Sequence, residues 1–330
     1  MKHSNISIFV PHIGCPNMCS FCNQHIISGT QTAPTGEDVR RICEKALTEV
    51  KAPENTEIAF FGGSFTAIPK AYMLELLEAA QEFLGEGKFS GIRISTRPDC
   101  IDGEILKLLK NYGVTSIELG AQSMSDEVLN ANNRGHNAQD VVNASELIRK
   151  FGFELGLQMM VGLYKSSAAD ELETMDRIIN IRPDTLRIYP VVILKGTKLA
   201  ELYKSGEYKT MPFDTAVTLC ADMLARCHNN DIRVIKCGLH ASDGVEGDMI
   251  GGYYHPAFRE LCESRIYRTA MSAIIRRDRL KNCVFAVNPS CISKALGHKK
   301  INVEYFKSQG TDIKIVGDEN IPIYQCEPRR

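Results

Sequence analysis

The chain has 330 residues, 44% of them hydrophobic, enough to bury a large core as one big domain or two unequal ones. Its net charge is −1, yet residues 232–330 carry 16 Lys and Arg against 11 Asp and Glu, while the first 231 carry 23 against 29. No apolar run approaches the ~18–20 residues of a membrane span, and the N-terminal apolar stretch is too short for a secretory signal and lacks a small-residue cleavage site, so a cytoplasmic protein is expected.

The first expected strand is ISIFVPH (6–12), and the loop after it, GCPNMCSFCNQ (14–24), spaces Cys15, Cys19 and Cys22 as C-x3-C-x2-C. An amphipathic helix over 36–50 leads to the strand EIAFFGG (57–63), and a helix over 71–84 to the strand GIRIST (91–96). Then come helix 103–112, strand SIELGAQ (116–122), helix 137–151, strand LGLQMMV (155–161), helix 168–180 and strand TLRIYPV (185–191). Helix 212–230, strand IRVIKCG (232–238) and helix 257–277 extend the series. Apolar positions in the helices recur at three- and four-residue spacing. Strand–helix alternation repeated in this way means parallel strands joined by crossover helices, and it suits a doubly wound sheet or an incomplete barrel equally.

The unusual residues fall at strand ends. The cysteine loop follows the first strand, GGSFT the second, STRPD ends the third and GAQS the fourth. In parallel α/β folds the carboxyl ends of the strands form the reactive face. The other nine cysteines (Cys43, Cys100, Cys220, Cys227, Cys237, Cys262, Cys283, Cys291 and Cys326) are scattered singly, as reduced core thiols would be, so the triplet stands apart as a ligand set. Structural zinc needs four side-chain ligands and catalytic zinc three plus water, so zinc with His12 or His25 is one reading. A [4Fe-4S] cluster held by three thiolates, leaving one iron open, is a second, and three thiols that merely pack are a third.

With Phe21 just before Cys22, this stretch resembles the signature of the radical S-adenosylmethionine (SAM) superfamily. That resemblance implies a partial (β/α)6 TIM-like barrel and a [4Fe-4S] cluster on Cys15, Cys19 and Cys22. It also implies S-adenosyl-L-methionine chelated by the open iron, reductively cleaved to methionine and a 5′-deoxyadenosyl radical that abstracts hydrogen. An external electron donor such as a flavodoxin or ferredoxin is implied with it. FFGGSFT is similar to the family segment that receives the SAM amino group, with Gly62 and Gly63 allowing close approach and Ser64 beside them. ISTRPD places Ser95, Thr96 and Arg97 where members contact ribose and carboxylate. ELGAQSMSDEVLNANNRGH resembles a segment shared by the coproporphyrinogen-type and Elongator-type branches, in which Gln122 and Arg134 face SAM. LGLQMMVGLY sets Gln158 at the ribose position and Gly162 next to the adenine.

After Cys22 comes Asn23-Gln24, without the additional cysteine typical of coproporphyrinogen dehydrogenases, and LRIYPVVILKGTKLAELYKSGEYK (186–209) is similar to the Elongator catalytic subunit. That subunit spaces its first two cysteines farther apart and carries an acetyltransferase domain for which this chain stops too early, so acetyl transfer is not expected. Residues 283–317 read strand, helix, four-residue loop, helix, strand, a small α/β module that looks like a degenerate KH fold, with Gly297-His298-Lys299-Lys300 at the GXXG position. The organisation expected is a barrel over 1–231, a barrel-closing extension with a glycine-rich loop over 232–280, and the small module over 281–330. In the glycine-rich loop, His240, Asp243, Tyr253, Tyr254 and His255 suggest a cap on the barrel mouth or a tyrosine radical relay. The function expected is a radical SAM enzyme acting on RNA, with tRNA the first class. The alternatives are a radical SAM enzyme for a small molecule such as a tetrapyrrole or thioester, and a non-catalytic iron–sulfur or zinc nucleic-acid-binding protein.

Overall fold

The structure, a computed structural model, describes residues 4–10, 13, 15, 18–29, 32–239 and 243–329. Its strands are β1 (Ser4–Val10), β2 (Thr56–Gly62), β3 (Gly91–Thr96), β4 (Val114–Gln122), β5 (Glu154–Val161), β6 (Thr185–Pro190), β7 (Val192–Leu194), β8 (Arg233–Cys237), β9 (Met249–Gly252), β10 (Asn282–Val287), β11 (Asp312–Gly317) and β12 (Cys326–Arg329). The main sheet has seven strands in the order β1-β2-β3-β4-β5-β6-β8, and every neighbouring pair is parallel. The sheet curls into a half-barrel with β1 and β8 at its two edges. The expected alternation holds, with β8 as a seventh strand.

The crossover helices begin where the sequence supplies caps. Thr35 with Asp38, Asn137 with Asp140 and Ser167 with Asp170 form reciprocal capping boxes on helices Gly36–Glu49, Ala138–Lys150 and Ala168–Ile181. Their apolar stripes cover the convex face of the sheet, where Ile58, Leu76, Leu77, Ile94, Leu119 and Leu157 are fully buried.

Side chains alternate along each strand, so Glu57 and Phe61, Arg93 and Ser95, Glu118 and Gly120, Glu154 and Gln158, and Arg187 and Tyr189 share the concave face. That face is polar and self-satisfying at the amino ends of the strands. Arg93, with no exposed surface, donates to Glu57 at 2.7 Å, Glu118 at 3.3 Å and Glu154 at 2.7 Å. The cluster plugs the lumen and leaves the carboxyl ends open. Removing only Arg93 would leave Glu57 without a cation, since Glu118 keeps Arg187 and Glu154 keeps Arg233, and an unpaired buried carboxylate is costly.

Helix Phe258–Asp278 belongs to two cores. Phe258 and Cys262 are buried with the sheet, while Tyr267 and Met271 pack with Phe285, Val287, Phe306 and Ile313 of the tail. In the tail β10 pairs parallel to β11 and antiparallel to β12, and helices Ile292–Leu296 and Ile301–Ser308 lie between β10 and β11. The strand–helix–loop–helix–strand order is as expected, with β12 added.

Two readings need correction. The stretch 238–261 is not simply a loop: it holds a short helix, Asp243–Asp248, and β9, which pairs antiparallel with β7. Three- and four-residue strands, one of them half glycine, show no alternation to detect. The cysteines outside the triplet are also less dispersed than their sequence positions suggest. The thiols of Cys220, Cys237 and Cys262, from helix Phe213–Asn229, β8 and helix Phe258–Asp278, come within interaction range of one another in the core. No disulfide joins any of the twelve cysteines.

Candidate active site

At the carboxyl ends of the strands the half-barrel holds a cavity of about 680 Å³. All three cysteines of the triplet line it, together with Phe21, Gly62, Gly63, Ser64, Ser95, Thr96, Arg97, Gln122, Arg134 and Gln158. Segments up to 143 positions apart in sequence therefore meet at one rim, because each follows or ends a parallel strand. Gly162 is not brought there. Its N–H bonds Glu171, its carbonyl accepts from the Tyr208 hydroxyl, and a Cβ at this position would lie 2.4 Å from the Tyr253 ring.

The cysteine loop is held by three consecutive residues from a distant segment. Asn132 accepts the Ser20 N–H on its carbonyl at 3.1 Å and the Ser20 hydroxyl on Oδ1 at 2.7 Å. Asn133 donates from Nδ2 to the Met18 carbonyl at 2.9 Å. Arg134 donates to the Cys19 sulfur at 3.0 Å and to the Gly120 carbonyl at 2.7 Å. A guanidinium donating to a cysteine sulfur orients that sulfur and tunes whatever it holds. Beyond the loop, Leu199 N–H donates to the Ser20 carbonyl at 2.7 Å, and Cys22 N–H closes a turn onto Cys19 O at 3.2 Å. Burial pushes the Cys15 thiol up. The thiols ring the cavity wall; among the described residues no three His, Cys, Asp or Glu side chains form a single-ion group. His25 does not line the cavity, and His12 and His240 lie outside the described residues.

The glycine pair has a structural explanation of its own. A Cβ on Gly62 would lie 2.8 Å from the Val10 carbonyl, and one on Gly63 2.2 Å from the Ile13 carbonyl. The Gly63 N–H donates to Val10 O at 2.8 Å. Glycine is required here because the end of β2 touches the root of the cysteine loop. Ser64 and Thr96 bond at 3.0 Å, and Ser64 Oγ accepts the Arg97 N–H at 3.0 Å. Arg97 is itself forked onto Asp99 at 2.9 and 2.6 Å. Gln122 ends β4 at φ +64° beside a register shift in its pairing with β5, a bulge that re-aims the side chain. Two buried atoms of these cavity-lining residues, Gln122 Oε1 and Arg134 Nε, find no hydrogen-bond partner among the described residues. Buried polar atoms are ordinarily paired. With three thiols beside them, these atoms fit a polar ligand next to a thiolate-held cluster.

Deeper in the cavity lie residues that sequence reading did not single out. Arg187 forks onto Glu118 at 2.6 and 3.0 Å and stacks 4.7 Å over the Phe61 ring. Gln158 donates to Ser95 at 3.2 Å and to Glu118 at 3.1 Å, so Glu118 fixes both. Tyr189 sits 3.4 Å from Arg187, and Lys236 of β8 lines the same wall. On the mouth side, Val192 and Leu194 of β7 pack with Val245, and Ile26, Ile27, Leu239 and Tyr254 press against them, forming an apolar flank next to the cysteine loop. Tyr253 and Tyr254 are not among the lining residues; Tyr253 is buried and accepts the Met211 N–H at 2.8 Å.

Residues 9–178 match the radical SAM superfamily, and residues 183–268 the radical SAM C-terminal domain. The chain belongs to the radical SAM superfamily. This radical SAM protein is 30% identical over 227 residues to an uncharacterized protein of Methanocaldococcus jannaschii, spanning 68% of this chain and 67% of that one. It is 25% identical over 256 residues to the tRNA uridine(34) acetyltransferase of Dehalococcoides mccartyi, covering 67% and 55% of the two chains. To Elongator complex protein 3 of Saccharomyces cerevisiae it is 31% identical over 193 residues, covering 52% and 34%. The chain thus spans about half or less of these two named relatives, in their radical SAM region. Among solved structures, Elp3 of the archaeon Methanocaldococcus infernus shares the fold at a TM-score of 0.63 and 19% identity, covering 84% of this chain and 63% of that one. Coproporphyrinogen III oxidase from Escherichia coli shares it at 0.50 and 20%, covering 69% and 52%.

Proposed function

We propose that Cys15, Cys19 and Cys22 hold a [4Fe-4S] cluster and that the protein uses SAM there to modify RNA, with tRNA as the substrate class. The observation that carries this reading is the cavity that gathers all three thiols and ten of the eleven residues expected to contact SAM. The chemistry supplied with both groups bound is reductive cleavage of SAM to methionine and a 5′-deoxyadenosyl radical. The chain's own residues have separable tasks. Asn132, Asn133 and Arg134 fix the cysteine loop, and Arg134 balances thiolate charge. Gln122 and Arg134 offer unpaired polar atoms to SAM, while Gln158, held by Glu118, and Ser95, held by Gln158, face its ribose. The apolar flank on β7 keeps water from the radical. The electron would come from an external donor of the flavodoxin or ferredoxin type.

The RNA assignment draws on the name of the D. mccartyi relative and on the tail. There His298, Lys299 and Lys300 are exposed on the turn between the two short helices. Such a turn suits the phosphates of a single strand. A chain acting on RNA in this way would work in the cytoplasm, and among the described residues no helix is long and apolar enough to cross a membrane.

Anaerobic reconstitution with iron and sulfide, followed by dithionite and SAM, should yield 5′-deoxyadenosine. A spectroscopically intact cluster that yields none would refute the catalytic reading. Filter binding of tRNA at low and high salt tests the substrate: salt-sensitive retention is expected, and its absence would favour a small molecule.

A further inference from the structure

This inference rests on the radical SAM reading of the cavity and concerns the chemistry of its substrate. Four charged side chains among the described residues line the cavity, Arg97, Arg134, Arg187 and Lys236, and no Asp or Glu does. Three of the four are engaged: Arg97 by Asp99, Arg134 by the Cys19 sulfur and Gly120, and Arg187 by Glu118. Lys236 makes no hydrogen bond or ion pair within the described residues, and its register partner on the neighbouring strand is Arg187. Burial, then the charges of Arg187 and Arg259, pull its pKa down. Arg259 is itself turned to the Val234 carbonyl and to Glu263, at 2.7 and 3.2 Å.

A half-buried ammonium set beside two guanidiniums is unfavourable on its own, and an arriving anion reverses the sign. The location matters as well. Lys236 is on β8, one edge of the half-barrel, whereas the cysteine loop follows β1 at the other edge. Arg97 and Arg134, by the cysteines, can answer the charges of the cluster and SAM. Lys236 is left for something else.

We propose that Lys236 anchors an anionic group of the substrate, a carboxylate or a phosphate, on the β8 wall of the cavity. Arg187 adds field without giving up Glu118, and Tyr189 stands two residues along β6 as a neutral donor.

The test uses the full chain with reductively ¹³C-methylated lysines, titrated by NMR with malonate as the carboxylate source and with inorganic pyrophosphate as the phosphate source. A saturable shift of the Lys236 resonance with either probe is expected. Lys236→Met should weaken that probe's binding at least tenfold, while Lys236→Arg keeps it within a few-fold and shows that the cavity still folds. Which probe binds names the source. Binding of neither probe, unchanged binding in Lys236→Met, or binding lost only in Arg134→Met would overturn the proposal. Formation of 5′-deoxyadenosine by the wild-type chain without substrate is measured separately. If that fails while Lys236-dependent binding stands, the anion site survives and the radical SAM reading falls.

Discussion

Replacing Gly63 by alanine adds one methyl group at the point where β2 meets the root of the cysteine loop. The new carbon would lie 2.2 Å from the Ile13 carbonyl oxygen and 3.1 Å from that of Val10. A carbon and a carbonyl oxygen rest at about 3.3–3.6 Å, so the Ile13 backbone must retreat by roughly 1 Å. Both obstacles are main chain, which cannot rotate aside as a side chain would. Ile13 is two residues from Cys15, so the retreat passes straight into the ligand loop.

Overpacking of this kind costs about 1–3 kcal/mol, and a displacement of about 1 Å at a reacting centre costs on the order of a hundredfold in rate. Gly63→Ala should therefore unfold in urea at a modestly lower midpoint, yet lose most of its iron or fall about a hundredfold in 5′-deoxyadenosine formation. Gly247→Ala is the control, because a Cβ there meets nothing within 4 Å. The measurements are iron per chain, the visible absorbance of the cluster, and the initial rate of SAM cleavage. A Gly63→Ala protein with full iron and wild-type cleavage would show that contact between β2 and the loop does not position the thiols.

Asn132 is fully buried, donates to Val128 O at 2.8 Å and Tyr164 O at 2.9 Å, and accepts from Ser20, so Asn132→Ala should cost about 2–4 kcal/mol in urea unfolding and lower iron retention. Burial raises the Glu171 carboxyl from 4.5 to about 7, against opposing bonds from Gly162 and Ser166. The folded state thus binds the extra proton, and this group's stabilising contribution is present below pH 4.5 and lost as pH rises to about 7. Glu171→Gln should remove up to about 3 kcal/mol of that slope in thermal melts across the window, and an unchanged slope would contradict the assignment. His136, lowered from 6.5 to about 4 by burial and then by Arg134, acts in the opposite direction: its contribution is full above pH 6.5 and is lost as pH falls to about 4. For the tail, Lys299→Glu with Lys300→Glu should weaken tRNA retention across sequences and flatten the salt dependence by about two units of slope; a small-molecule enzyme would show no change.

Strands β1 to β6 could be read from sequence because each is a short apolar or β-branched run that ends on a residue out of keeping with it, such as the Gly pair after Phe61 or the Arg-Pro after Thr96. The helices were legible from their caps and stripes. What escaped reading depends on distance. Nothing in NANNRGH says that Asn132 and Asn133 hold Ser20 and Met18, since those contacts join segments more than a hundred residues apart. Lys236 looks like any basic residue in a strand until the cavity wall shows its ammonium without a partner among the described residues. Cys220, Cys237 and Cys262 read as singles because a helix, a strand and another helix must pack before they meet.

The clamp also bears on why the motif residues occur as blocks. Asn132, Asn133 and Arg134 each grip a different residue of the stretch 18–20, and the Gly62-Gly63 pair presses on the strand end just before it. Both blocks do to the backbone of the cysteine loop what a tetrahedral zinc site does with a fourth ligand: they fix its shape without occupying a coordination position. Three thiolates alone leave a loop of this length too many conformations to hold an open-cornered cluster. With the loop held from the β2 and β4 sides, the three thiols would be positioned to hold the proposed cluster at the cavity wall. Loosening either block should therefore impair retention of the metal before it impairs the fold.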